Sequence, residues 1–220
     1  MLGQAGASAL AHGVQPHGMK IDWRAEYLCL VGGRRSGFFD PDIMRRDGFP
    51  LERRLTETDL REAEGELGIT FPSEYREHLL RRGNPERGFN RLWRGPRGWG
   101  WYGDTHTNYD LLTQPFPHPD SYRAADDDLD EREPPREDTE AWEAWDDECG
   151  VLEEGKTAGA VYIQEGGCGF STLLVVTGPH RGEMWFDGRA ACDQILPLRW
   201  AGRPVFFAEW VERGMSLIPW

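Results

Sequence analysis

The order in which hydrophobic periodicity changes along the chain constrains its fold more than any single residue does. From Leu55 to Leu80 apolar residues recur at the spacing of a helix with one buried face. Beyond Gly88 they gather into short runs rich in aromatic and β-branched residues, bounded by glycine and proline, as strands do. Helical spacing returns at residues 205–213, where Phe206, Phe207, Trp210 and Val211 mark an amphipathic closing helix. Helices, then strands, then a helix predict an α+β domain. Its sheet should be mostly antiparallel and packed against the N-terminal helices and the closing C-terminal one.

The first helix is the best marked. Thr56 and Asp59 have the spacing of a capping box, and Leu55 and Leu60 that of a hydrophobic staple. Leu60, Ala63 and Leu67 supply the buried stripe, and Gly68 the C-terminal stop. A second helix begins at Pro72, turns Tyr75, His78 and Leu79 inward and ends at Gly83-Asn84. His78 on that face is expected as a satisfied core residue. FNRLW (89–93) and WGWY (99–102) flank Gly95-Pro96-Arg97-Gly98 as a hairpin. TEAWEAWDDEC (139–149) is helical, with Trp142, Trp145 and Cys149 on one side. AVYI (160–163) is a strand, and LLVV (173–176), lacking polar alternation, suits a central strand covered on both faces. The glycines of GPHRG (178–182) then turn the chain so that EMWFD (183–187) returns antiparallel.

A chain of 220 residues, 39% apolar, with ten Trp and ten Phe, holds one large domain able to bury a core without a metal or disulfide staple. No apolar run approaches the length of a membrane-spanning helix. Residues 1–20 lack the basic start and apolar centre of a signal peptide and read as a disordered tail or vector-derived remnant. Residues 21–54 form an N-terminal extension, helical in part. Residues 55–214 are the domain proper, with an acidic insertion at 124–148, and 215–220 are a tail. A cytoplasmic location follows. There Cys29, Cys149, Cys168 and Cys192, which show no CxxC spacing, are reduced thiols.

The formal charge of −13 disfavours direct binding of nucleic acid and fits either a basic partner or simply good solubility, the commoner reason for an acidic chain. Its distribution is uneven. Residues 126–148 hold thirteen acidic and two basic side chains, a net of −11, whereas residues 76–97 hold seven Arg against Glu77 and Glu86. With Pro134-Pro135 inside it, the first half of the acidic stretch reads as an exposed loop. Two outcomes stay open: a solvated segment with no partner, or a binding surface built from Asp126, Asp127, Asp128, Asp130, Glu131, Asp146 and Asp147.

Chemistry is harder to find. Neither GxSxG nor HExxH occurs. GGCG (166–169) lacks the Gly-Lys-Ser/Thr ending of a phosphate loop and fits a tight bend between strands. Asp104 and His106 could be drawn as an acid–base pair, but two such residues in a polar loop are common. The acidic stretch has no EF-hand spacing. No catalytic residue, cofactor or metal is assigned.

Two segments carry a family resemblance. LTETDLREAEGELGITFPSEYREHLL (55–80), with Glu66-Leu67-Gly68-Ile69-Thr70-Phe71-Pro72 linking its two helices, resembles the opening of the SMI1/KNR4 (SUKH) family. GGCGFSTLLVVTGPHRGEMWFDGRAACDQILPL (166–198) is similar to a Gly-Cys-Gly turn and hairpin in an actinobacterial branch of that family, and FFAEWVERG (206–214) to its terminal helix. The resemblance implies a non-enzymatic protein-binding domain, and for a bacterial member an immunity protein that occupies and neutralises a polymorphic toxin. A basic toxin domain is the partner implied, since a carboxylate array can stand in for nucleic-acid phosphates in a basic cleft. An intracellular scaffold or regulatory interaction module is the alternative.

Overall fold

Thr56 and Asp59 close the capping box expected of them. The Asp59 N–H donates to Thr56 Oγ1 at 3.1 Å, and the Thr56 N–H donates to Asp59 Oδ2 at 2.7 Å. In the computed structural model residues 54–84, 89–95, 98–104, 106–167 and 169–214 are described. The N-terminal tail, residues 21–53 of the extension, Pro96 and Arg97 of the hairpin turn, Cys29, Cys168 and the C-terminal tail lie outside the described residues.

Helix α1, Glu57–Leu67, buries Leu60, Ala63 and Leu67 and stops at Gly68, whose φ of 70° is left-handed. Helix α2, Ser73–Arg81, follows Pro72 and buries Tyr75 and Leu79. His78 is half-buried and sits edge-on to Phe207 at 5.3 Å. Burial, then the nearby Arg82 charge, pushes its pKa down.

Strands β1, Arg91–Gly95, and β2, Gly98–Tyr102, pair antiparallel with Gly95 opposite Gly98. The first of them begins two residues later than the sequence suggests. Phe89 bridges to Gln164, and the Asn90 N–H and Nδ2 donate to the Ile163 and Tyr162 carbonyls, so this stretch belongs to the main sheet.

The acidic stretch departs from expectation. Where an exposed loop was expected lies helix α3, Arg123–Glu131. Ala124 and Ala125 are strong helix formers, Asp126 suits the positive N-terminal end, and Leu129 is buried beneath the helix. Charge alone did not forbid a helix with one apolar foothold. Helix α4, Thr139–Gly155, then starts from an Asp138 cap and runs well past Cys149. Trp142 and Trp145 are half-buried, and α4 has no fully buried residue.

The main sheet contains β3, Ala160–Gly167, β4, Phe170–Val175, β5, Met184–Asp187, and, after the short helix α5, Arg189–Cys192, β6, Ile195–Pro197. The strand order is β3-β4-β5-β6, every pair antiparallel. Val161, Ile163, Leu174, Met184 and Phe186 pack with the helices and the β1–β2 hairpin, whereas Tyr162, Leu173, Val175, Trp185 and Ile195 pack with Phe116 on the other face. Interior strand β4 therefore has Leu173, Leu174 and Val175 fully buried, as its unbroken apolar run requires. Gly169, at φ +80°, makes the β3–β4 turn; a Cβ there would lie 2.5 Å from that of Ala190.

Strands β7, Arg199–Trp200, and β8, Arg203–Pro204, form a small hairpin before helix α6, Phe207–Glu212. That helix starts later than its periodicity suggests, because Phe206 is extended and bridges to Glu183.

Candidate functional site

The seven acidic candidates lie on α3 and α4, and their surroundings divide them. Asp126 is bound: its Oδ1 lies 2.6 Å from Lys156 Nζ, which also pairs with Glu153. Asp128 accepts from Arg132 Nε at 2.8 Å, and the other end of the same guanidinium reaches Glu148 on α4 at 2.9 Å. Arg132 thus bridges the two helices. Trp145 strengthens the bridge by donating its Nε1–H to the Leu129 carbonyl at 2.8 Å. Asp127, Asp130, Glu131, Asp146 and Asp147 are exposed and have no ion-pair partner among the described residues. These five are the available charges, whereas Asp126 and Asp128 hold the helices together.

Lys156 and Arg189 anchor this helical pair, and the sequence reading missed both. Lys156 is buried, with its ammonium 5.3 Å from the centre of the Tyr122 ring. Burial opposes its charge, but the hydrogen bonds it donates to Asp126 and Glu153 outweigh that and raise its pKa. Tyr122, pushed up by burial to about 12, stays neutral. Arg189 donates to the Glu153 backbone carbonyl and side chain at 2.9 and 2.8 Å, to the Tyr162 hydroxyl at 2.9 Å and to both oxygens of Asp187. Asp126, Lys156, Glu153, Arg189, Asp187 and Tyr162 therefore form one chain of contacts from α3 to the sheet. Two signals were in the sequence: Lys156 is one of only two lysines, and Arg189 follows Asp187 by two residues.

Asp104 is not the polar-loop residue its sequence suggests. Asp104 is fully buried, and its Oδ1 accepts the backbone N–H groups of His106 and Thr107, both at 3.0 Å. It shapes a turn. Burial raises its pKa, partly offset by those donors. Among the described residues no group of three or more His, Cys, Asp or Glu has the geometry to hold a metal ion. Cys149 and Cys192 are free thiols, and burial, then the carboxylates around Cys149, raise that thiol's pKa. No helix among the described residues is long and apolar enough to cross a membrane.

The sequence profile of the SMI1 / KNR4 family (SUKH-1) matches residues 54–195, well over half of the chain. The chain belongs to that family. The SMI1/KNR4 match begins at the capped helix α1, spans the acidic helical pair and ends as β6 begins, so the closing helix α6 lies beyond it. The SMI1/KNR4 family includes immunity proteins, is generally non-catalytic and implies binding to a protein partner. Neither a curated protein nor a solved structure matches the chain.

Proposed function

We propose that this SMI1/KNR4 domain is a non-enzymatic immunity protein that binds and neutralises a basic toxin domain through the exposed face of α3 and α4. One observation carries the proposal: five carboxylates on two mutually braced helices are left without a cation among the described residues. Exposed like charges held close together repel one another, so they do not serve the stability of the fold. They do serve capture of a basic surface, by long-range attraction and by suppressing wrong partners. The bracing by Arg132, Lys156 and Arg189 favours this use, because a rigid array loses little freedom on binding.

The test is to look for a toxin gene beside this one and to co-express the chain with the basic toxin domain it encodes. The chain should restore growth and co-purify with that domain. Continued toxicity with no complex formed would overturn the proposal.

A further inference from the structure

A cleft of about 520 Å³ lies where the β3–β4 turn meets α5, on the sheet face that carries Tyr162 and Trp185. Its floor is a row across three strands: Glu165 on β3 pairs with Ser171 on β4, and Ser171 pairs with Asp187 on β5. Residues directly opposite in an antiparallel sheet point the same way, so all three side chains belong to one surface. Ser171 is only 6% exposed. Ser171 lines the cleft, and its hydroxyl has no hydrogen-bond partner among the described residues. The residue is buried but its hydroxyl opens to the cleft, so it is free to accept from a donor that enters.

The charges around Ser171 select what arrives. Asp187 is neutralised by the two-pronged contact from Arg189, and Arg189 is itself used up by Asp187, Glu153 and Tyr162. Glu165, by contrast, has no Arg or Lys beside it among the described residues; its nearest charge partner is His106 Nδ1 at 3.7 Å. The His106 and Tyr162 rings, 5.3 Å apart, line the cleft together with Glu165. A carboxylate, a free hydroxyl and flanking rings together suit a planar cation bearing several N–H donors.

We propose that this cleft receives an arginine side chain of the protein partner, its guanidinium donating to Glu165 and to Ser171 Oγ. The proposal rests on the reading of the chain as a protein-binding domain and adds an anchor to it. The acidic helices attract a basic partner at long range, and the cleft fixes one arginine in place. Glu153 joins the two features, since it lies in the last turn of α4 and also lines the cleft.

Nα-acetyl-arginine amide tests this with the full chain. Titrated into ¹⁵N-labelled protein, it should produce saturable shifts at the Ser171, Glu165 and Ala190 amides. Nα-acetyl-citrulline amide, the same shape without the charge, should produce none. Glu165→Gln should abolish the arginine shifts, and Ser171→Ala should weaken the affinity several-fold. Both variants should keep the wild-type amide pattern elsewhere, which separates loss of the site from loss of the fold. Equal shifts with the citrulline or the matching lysine probe, shifts confined to α3 and α4, or none at all would overturn the proposal. Arginine capture by a chain that forms no complex with the toxin domain would leave the cleft standing and remove the immunity reading. Tight toxin binding unaltered by Glu165→Gln would do the opposite.

Discussion

Arg189 grips both carboxylate oxygens of Asp187, two residues before it, with Nε on Oδ1 at 2.9 Å and a terminal nitrogen on Oδ2 at 2.7 Å. Burial alone would raise the Asp187 pKa, but the Arg189 bonds outweigh it and hold the carboxyl below its usual range. A depressed folded-state pKa contributes stability above the unfolded value, and that contribution is lost as pH falls through the folded value. Arg189→Met leaves the carboxylate buried and unpaired, at a cost of about 3–5 kcal/mol near neutral pH. The deficit against wild type should shrink on acidification, because the stranded group then takes up a proton. Urea unfolding of both proteins at several pH values measures it. A deficit that is small, or that grows as pH falls, would contradict this.

Asp104 carries the opposite sign. Its folded pKa is raised, chiefly by burial, so its contribution is complete below the unfolded pKa and fades as pH rises through the folded one. Asp104→Asn keeps an acceptor for the His106 and Thr107 N–H groups and removes the titration. Relative to wild type the variant should gain stability steadily as pH rises from acid to neutral. A gap that does not change with pH would refute the raised pKa.

The domain frame was legible where local signals and long-range packing agree. The Thr56 cap, the Gly68 stop and the unbroken run of β4 each have one structural solution, and each is found in place. The acidic helices were half legible. Pro134-Pro135, read as the sign of a loop through the first half of the stretch, fall only after α3 has ended, and a lone Leu129 among carboxylates gives no periodicity from which to infer that helix. Which carboxylates are free was not legible at all. That depends on Lys156 and Arg189 arriving from distant parts of the chain, a tertiary fact with no local pattern. For the same reason Asp104 looked like a polar-loop residue until the fold buried it.

Cap and strand give a paired stability test. Thr56→Ala should destabilise by about 1 kcal/mol through loss of the cap. Leu174→Ala, at a fully buried position in an interior strand, should cost about 2–5 kcal/mol. Chemical denaturation ranks them, and the reverse order would contradict the strand order.

Association kinetics across a salt series test the central claim most directly, using wild type and a variant with Asp127, Asp130 and Asp147 changed to Asn. Asp126 and Asp128 are left alone because they are bound to Lys156 and Arg132. Against the toxin domain the wild-type rate should fall steeply as salt rises, since attraction is screened over about 8 Å at physiological ionic strength. The variant should associate more slowly at low salt, depend less on salt and dissociate at nearly the wild-type rate. Superimposable association rates for the two proteins at every salt concentration would show that these carboxylates are solvated surface and take no part in capture.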